Sequence, residues 1–216
     1  MGQVVSLVNQ KGGVSKSTTS VHLAYWLIQK QKRKTLLIDA DGQRSSSLWI
    51  KGMEDVEIPC EVIGSPDDLL ERVPELAADY DYLIVDGPAS LSEATRAILF
   101  RSDLAFIPVQ PTGVDLRSAS DAMRLVKQAQ SVRGGLPKAV MFLSRAVKGT
   151  KLKDEAIALL NKNPGAILLD TVIHQKQAIA DTSGQSATVW DISGRPASES
   201  ASEYEKLFKE MLKQLP

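Results

Sequence analysis

Short apolar runs alternate with amphipathic segments along most of the chain, and this alternation predicts strands and helices in turn. The predicted strands are the five runs Val4–Val8, Thr35–Ile38, Tyr82–Val85, Leu104–Val109 and Ala139–Leu143. Because these runs are apolar at almost every position rather than at alternate ones, they predict a sheet that is buried on both faces. Parallel sheets covered by helices have this property.

Between these runs, apolar residues recur at the three- and four-residue spacing of helices. The predicted helices are Val21–Ile28, Asp67–Leu76, Ser90–Phe100, Asp115–Gln130 and Lys151–Leu160. The Ser-rich stretch Ser193–Ser202 is interpreted as a loop that leads into a last helix. Strands and helices that alternate with short connections predict a doubly wound α/β fold, in which helices flank a mostly parallel sheet.

Length and composition narrow the class of protein further. A chain of 216 residues predicts one domain over residues 1–216, since a domain holds roughly 150 residues. The 26 basic residues balance the 26 acidic ones, which excludes a strongly basic nucleic-acid protein but leaves room for a local basic patch. The single cysteine, Cys60, excludes a disulfide scaffold and a cysteine metal cluster. The sequence has no apolar run of about 18 residues and no signal-peptide pattern, so we expect a soluble, cytoplasmic protein.

The strongest functional signal is a glycine-containing segment between the first predicted strand and the first predicted helix. It predicts a phosphate-binding loop made of Lys11, Gly12, Gly13, Val14, Ser15, Lys16, Ser17 and Thr18. Glycines allow backbone N–H groups to surround phosphate oxygens, and the helix N-terminus adds partial positive charge. At this spacing, Lys16 reaches the β- and γ-phosphates of a nucleotide, and the Ser17 hydroxyl binds Mg²⁺. The alternative is a plain strand–helix turn that binds no ligand.

The spacing of this loop departs from the ordinary phosphate loop, because Gln10 stands where the first glycine belongs. The loop instead resembles the deviant Walker A box of the ParA/MinD family of dimeric P-loop ATPases, which reads Lys-Gly-Gly-x-Gly-Lys followed by two hydroxyl residues. By that resemblance, Lys11 is the signature lysine and Lys16 is the general phosphate-loop lysine. Ser15 stands where the family has glycine, and a serine there is strained by roughly 1 kcal/mol or more if the position requires a positive φ.

A second motif of the same family follows the next predicted strand. The segment Leu36–Gln43 resembles an apolar strand that ends in Asp-x-Asp-Pro-Gln, although Gly42 replaces the proline. The resemblance implies that Asp41 orients the attacking water and that Asp39 supports the water network around Mg²⁺. The alternative for Asp39 is a carboxylate that caps the following turn.

Further motifs follow in the order of the family. The segment Tyr80–Pro88 resembles the Walker B strand, with Asp86 at its carboxyl end. The carboxyl ends of strands in an α/β sheet lie where ligands bind, so Asp86 is expected to hold Mg²⁺ through a water molecule. The segment around Pro108 resembles the proline motif beside the nucleotide, and Arg145 falls where family members contact adenine.

The resemblance spans residues 3 to about 212 and implies an enzyme that hydrolyses ATP to ADP and phosphate with Mg²⁺. It also implies an ATP-dependent sandwich homodimer, in which Lys11 contacts the nucleotide of the partner subunit. Such family members coat nucleoid DNA without sequence preference and position a plasmid, a chromosome region or a protein cargo such as a carboxysome. A cargo adaptor or centromere-binding protein stimulates their hydrolysis. The densest basic cluster for a DNA contact comprises Arg145, Lys148, Lys151 and Lys153, with Lys176 as a further member.

Two other classes of protein are alternatives. A MinD-like ATPase would bind membranes through a C-terminal amphipathic helix, and the chain has an apolar stripe formed by Tyr204, Leu207, Phe208, Met211, Leu212 and Leu215. The charges of that helix balance, so the stripe is predicted to pack on the sheet, and no stable membrane association is expected. A biosynthetic amidoligase or a metallocluster carrier of the same superfamily lacks support, because one cysteine cannot supply a cluster site.

Overall fold

The structure is a computed structural model that describes residues 2–90, 92–161 and 165–216, apart from the side chain of Val114. Its strands are β1 (Gln3–Leu7), β2 (Thr35–Asp39), β3 (Cys60–Val62), β4 (Tyr82–Asp86), β5 (Leu104–Val109), β6 (Lys138–Leu143) and β7 (Ile167–Leu168). They form one seven-stranded sheet in the order β3-β2-β4-β1-β5-β6-β7. Every neighbouring pair in this sheet is parallel.

The described residues form helices between and after these strands. They are α1 (Lys16–Tyr25), α2 (Ser45–Lys51), α3 (Pro66–Asp79), α4 (Glu93–Arg101), α5 (Gly113–Val132), α6 (Lys151–Leu160), α7 (Gln177–Gly184) and α8 (Arg195–Leu212). Helix α1 continues as a π-helical turn over Trp26–Lys30. The parallel sheet with helices on both sides confirms the predicted doubly wound α/β fold.

The sheet is buried on both faces, as its continuous apolar runs predict. On one face it packs against α3, α4, α5 and α6, through residues such as Leu69, Ile98 and Met123. On the other face it packs against α1, α2 and α8, where Trp26 and Phe208 lie. Burial of a large apolar side chain stabilises a fold by about 1.5–3 kcal/mol, so these two layers hold the sheet between the helices.

The parallel register brings the carboxyl ends of three neighbouring strands together at one edge of the sheet. Leu7 at the end of β1 and Asp39 at the end of β2 both pair with Asp86 at the end of β4. The loop from β1 to α1 therefore lies beside two carboxylates, at the edge of the sheet where α/β proteins bind ligands.

The Ser-rich stretch Ser193–Ser202 is mostly helical, so its interpretation as a loop is wrong. Helix α8 already begins at Arg195. Pro196 occupies its first turn, where a missing N–H costs nothing, and the Ser200 hydroxyl donates to the Pro196 carbonyl oxygen at 2.8 Å. Ala197 and Ser200 are buried against the rest of the protein, and this packing outweighs the modest helix propensity of serine.

The apolar stripe of α8 packs into the protein, as its charge balance predicts. Tyr204, Leu207, Phe208 and Met211 all have 0% of their surface exposed. The ring of His22 in α1 stacks on the Tyr204 ring with 4.6 Å between the centroids. None of the helices in the described residues is long and apolar enough to cross a membrane. The apolar face of α8 is therefore part of the core.

The pattern along the sequence misses four short elements, namely α2, α7, β3 and β7. The two strands hold three and two residues at the edges of the sheet, which is too few for an apolar run to stand out. Helix α2 forms in a serine run and buries Trp49, whereas α7 buries only Thr182. The predicted helix Ser90–Phe100 corresponds to α4, which begins at Glu93, and Leu91 lies outside the described residues.

Candidate functional site

The loop between β1 and α1 turns through two residues with positive φ. Gly13 has φ 77°, a region open mainly to glycine, and Ser15 has φ 76° immediately before α1 begins at Lys16. The position of Ser15 therefore does require a positive φ, and serine costs roughly 1 kcal/mol there relative to glycine. Val14 is fully buried and Gly12 is exposed. The N-terminus of α1 adds partial positive charge at the loop, which suits an anion.

Lys16 is buried within this loop, with 6% of its surface exposed. Its Nζ donates to the carbonyl oxygen of Lys11 at 3.0 Å, so the ammonium group lies across the loop. Burial lowers the pKa of Lys16, while the nearby carboxylates of Asp86 and Asp41 act in the opposite direction. An ammonium group has three donors, and the described residues occupy one of them. Lys16 therefore has donors left for phosphate oxygens.

Asp86 is fully buried beside Lys16, at the end of β4. Its Oδ1 accepts from the Ser20 hydroxyl at 3.3 Å, whereas its Oδ2 has no hydrogen-bond partner among the described residues. Burial raises the pKa of Asp86 to about 6, although the hydroxyls of Ser17 and Ser46 and the ammonium group of Lys16 act against this rise. The surrounding protein groups therefore compensate the charge of this carboxylate only in part.

These groups fit Mg²⁺, which prefers oxygen ligands and keeps part of its water shell. The unpartnered oxygen of Asp86 and the neighbouring Ser17 hydroxyl are ligands of this kind. Within the described ranges, no group of three or more His, Cys, Asp or Glu side chains is placed to hold a metal ion.

Asp39 and Asp41 lie at and just after the end of β2 and differ in environment. Asp39 is fully buried, and its two oxygens accept hydrogen bonds from the backbone N–H groups of Asp41 at 3.1 Å and Ser47 at 2.8 Å. These contacts match the alternative role of Asp39 as a cap of the following turn, and its support of Mg²⁺ stays a prediction. Asp41 is partly exposed, and its Oδ1 accepts from the Gln43 N–H at 3.1 Å. Its Oδ2 accepts no hydrogen bond from the described residues, which leaves that oxygen for a water molecule.

Lys11 lies at the rim of the same loop and forms an ion pair with α5. Its Nζ lies 3.0 Å from each carboxylate oxygen of Asp115. The side chain of Lys11 is 39% exposed, whereas that of Asp115 is fully buried and also accepts from the Thr112 hydroxyl. Because 104 residues separate Lys11 from Asp115, no local pattern in the sequence predicts this partner.

Two polar residues outside the predicted site fix the backbone of the loop. Asn9 is buried, donates from Nδ2 to the Pro108 carbonyl oxygen at 2.8 Å and accepts from the Lys11 N–H at 3.0 Å. Gln110 donates from Nε2 to the Gly13 carbonyl oxygen at 2.8 Å. A buried asparagine needs hydrogen-bond partners. The place of Asn9 directly after an apolar run is the one signal in the sequence that it is buried and holds the loop.

A cavity of about 580 Å³ opens beside the loop. Its wall includes Gly13, Ser15, Thr18 and Arg145 of the predicted site. Arg145 has φ 54° and donates from Nη1 to the Gly13 carbonyl oxygen at 2.9 Å. Arg145 thus lines a cavity of the size that small-molecule ligands occupy. Pro108 is buried in β5 and does not line this cavity, so it supports the loop only through its carbonyl oxygen.

The sequence of this chain is similar to a family of nucleotide-binding domains and to individual bacterial proteins. Residues 5–189 match the family described as the CobQ/CobB/MinD/ParA nucleotide binding domain. The Maintenance of carboxysome distribution protein A of Gloeobacter kilaueensis is 37% identical over 53% of this chain, which spans about half (52%) of that relative. The Chromosome-partitioning ATPase Soj of Thermus thermophilus is 28% identical, over 96% of this chain and 94% of its own.

The fold is likewise shared with a solved structure. Apo McdA of Cyanothece superposes with a TM-score of 0.78 at 18% identity, covering 98% of this chain and 100% of that chain. At this level of identity the likeness shows a common fold alone, whereas the family match extends over most of the chain and includes the loop, Asp39, Asp41 and Asp86. The chain therefore belongs to the CobQ/CobB/MinD/ParA family of nucleotide-binding domains.

Proposed function

We propose that this chain is a ParA-type ATPase that binds ATP with Mg²⁺, forms a homodimer in its ATP-bound state and hydrolyses ATP to ADP and phosphate. In this proposal the dimer binds DNA without sequence preference, and a cargo adaptor or centromere-binding protein stimulates hydrolysis. The family match and the similarity to proteins named for chromosome partitioning and carboxysome distribution support the proposal. The protein would then act in the cytoplasm, on the nucleoid.

The observation that carries the proposal is the placement of two lysines on one loop. Phosphoryl transfer requires that charge on the phosphate oxygens is neutralised. Lys16 is buried inside the loop and would supply the neutralising positive charge from within the same subunit. Lys11 lies at the rim and its side chain is 39% exposed, so in this proposal it would reach a nucleotide held by a second subunit. In this proposal ATP is part of the dimer interface, because Lys16 of one subunit and Lys11 of the other contact its phosphates.

Hydrolysis further requires a water molecule in line with the bond that breaks. Asp41 is the carboxylate that suits this task, because it is partly exposed and lies close enough to Lys16 to influence its pKa. Ser17 and Asp86 would hold Mg²⁺, which neutralises charge on the phosphates when it is bound. Gly42 gives the backbone beside Asp41 more freedom than the family proline would.

The environment of each basic residue bears on where the dimer would contact DNA. Three of the five residues in the cluster predicted from the sequence have partners in their own subunit. These pairs are Arg145 with the Gly13 carbonyl, Lys153 with Asp154 at 3.5 Å and Lys176 with Glu203 at 2.7 Å. Of these five residues, only Lys148 and Lys151 are exposed and have no such partner among the residues that the structure describes.

Helix α5 offers a second basic surface. Arg117, Arg124 and Lys127 recur at helical spacing on its exposed face, over about 15 Å. Across residues 2–90, 92–161 and 165–216, none of the three lies within 4.0 Å of a carboxylate. Free cations bind phosphates without first losing a protein partner, so this face supports DNA binding more strongly than the cluster around α6.

Charge reversal on the two surfaces tests the DNA contact. We expect the double change of Arg124 and Lys127 to Glu to weaken ATP-dependent DNA binding at least about tenfold. The slope of log K against log salt should fall by about 2, because each phosphate contact contributes about 0.9. The matched double change of Lys151 and Lys153 to Glu should weaken binding less. Co-sedimentation with supercoiled DNA across a salt series measures both effects, and an unchanged slope in both variants would place the contact elsewhere.

The membrane alternative predicts a different result for the C-terminal helix. We expect a chain that ends at Glu203 not to fold, because it loses four buried apolar residues worth about 2–5 kcal/mol each, against a total stability of about 5–15 kcal/mol. A control chain that ends at Leu212 keeps these residues and should stay folded. Circular dichroism and gel filtration distinguish the two chains. A folded ATPase that only loses binding to anionic liposomes after truncation at Glu203 would favour the MinD-like function.

A further inference from the structure

We propose that Asp115 is a positioning residue that holds the Lys11 side chain within its own subunit until the ATP-bound dimer forms. The proposal rests on the proposed function, because it concerns the lysine that would act across the dimer. It assigns to Asp115 control over when Lys11 becomes available to the partner subunit.

The ion pair has the geometry of a specific holding contact. Both carboxylate oxygens of Asp115 lie 3.0 Å from the Nζ of Lys11. The carboxylate is fully buried, and Lys11 is its only ion-pair partner in the part of the chain that the structure describes. The Thr112 hydroxyl donates to the same carboxylate, which orients it in the first turn of α5. Removal of one partner from a buried pair leaves an uncompensated charge, so the departure of Lys11 is unfavourable by itself.

The backbone of Lys11 is held by other contacts. Its N–H donates to Asn9 Oδ1 at 3.0 Å, and Asn9 also accepts from the Ser118 hydroxyl at 2.9 Å and donates to the Pro108 carbonyl oxygen. These bonds do not involve Asp115. The loop therefore keeps its place when the ion pair opens, and only the side chain of Lys11 changes its partner.

Two anions then compete for one ammonium group. Lys11 cannot keep both oxygens of Asp115 at 3.0 Å and also extend to a nucleotide in a second subunit. A triphosphate carries more negative charge than one carboxylate or a diphosphate, so it competes best. ATP therefore displaces Asp115 from the Lys11 ammonium group more readily than ADP does. Dimerisation then depends on which nucleotide is bound.

The test is the Asp115→Asn variant of the full chain, which keeps the shape of the side chain and removes its charge. Each opened pair should change the dimerisation constant by about tenfold, and a symmetrical dimer opens two pairs. We therefore expect the dimer dissociation constant with a non-hydrolysable ATP analogue to fall about 100-fold. The variant should also dimerise with ADP at concentrations where the wild-type chain is monomeric. A side chain needed only for folding would weaken the dimer instead.

Analytical ultracentrifugation measures the dimer dissociation constant, and two further variants separate the possible outcomes. Asp121→Asn makes the same charge change on α5 and should leave the dimer as in the wild type. Lys11→Ala should abolish the dimer. If it does so while Asp115→Asn binds no more tightly than the wild type, the holding role of Asp115 is wrong and the proposed function stands. If Lys11→Ala dimerises normally, the action of Lys11 across the dimer is wrong, and the role of Asp115 is overturned with it.

A measurement on the wild-type chain does not depend on how any variant folds. Acetylation of lysine amines, followed by mass spectrometry, reports how freely each amine reacts. Without nucleotide, Lys11 should react about tenfold more slowly than Lys30, which is exposed at the end of the π-helical turn after α1. Equal rates at the two lysines would overturn the proposal.

Discussion

Replacement of Lys16 by alanine is expected to abolish ATP binding, with the dissociation constant for ATP rising at least about 100-fold. The reason is the position of Lys16 inside the loop, where its ammonium group has donors left beyond its one bond to the Lys11 carbonyl oxygen. Without it, the negative charges of the nucleotide would lie beside Asp86 and Asp41 with no buried cation between them. Calorimetric titration with ATP and Mg²⁺ measures the effect.

Lys30→Ala is the matched control for this prediction. It removes the same charge from an exposed position in the same helical segment, so its ATP affinity should equal that of the wild type. The burial of Lys16 itself is unfavourable, so Lys16→Ala should fold normally, and circular dichroism should show this. Unchanged ATP affinity in a folded Lys16→Ala chain would contradict the assignment of the phosphate loop.

Replacement of Asp41 by alanine is expected to slow ATP hydrolysis by about 100-fold or more while ATP binding changes little. Asp41 is the partly exposed carboxylate near Lys16, and it is the residue that we assign to the attacking water. A dimer that cannot hydrolyse ATP keeps its interface, so the variant should stay dimeric with ATP for longer than the wild type. Phosphate release measures the first effect, and light scattering measures the second.

Asp41→Asn distinguishes the charge of the side chain from its place in the turn. Asparagine keeps an oxygen for the hydrogen bond from the Gln43 N–H but lacks the negative charge. If the carboxylate acts on the water, both variants should hydrolyse slowly. Slow hydrolysis in Asp41→Ala alone would instead indicate that the turn geometry matters. A variant that remains monomeric with ATP would contradict the sandwich mechanism.

The structure shows the consequence of serine at position 15, where the family has glycine. The residue adopts the positive φ that glycine adopts easily, so the loop keeps its shape at a cost of roughly 1 kcal/mol. The hydrogen bonds of Gln110 and Arg145 to the Gly13 carbonyl oxygen hold the same part of the loop. These two contacts help to hold the loop in a conformation that serine by itself disfavours.

The sequence by itself determined the five longer strands, most of the helices, and the place of the glycine-containing loop between β1 and α1. These features depend on local order, since periodicity and residue spacing act over a few neighbouring positions. It also indicated that Asp86 lies at the edge of the sheet where ligands bind, because the carboxyl ends of parallel strands lie there, and the structure pairs Asp39 with Asp86 at this edge. The serine-rich composition does not predict the start of α8, because burial of Ala197 and Ser200 decides it and helix propensity does not.

Only the tertiary structure decided which partners these residues have. The pairing of Lys11 with Asp115 joins positions 104 residues apart, and that of Asn9 with Pro108 joins positions 99 apart. Likewise, Lys176 is neutralised by Glu203 rather than free for DNA. The spacing of residues along a chain carries no information about such contacts, because they form only when packing of the helices on the sheet brings distant segments together.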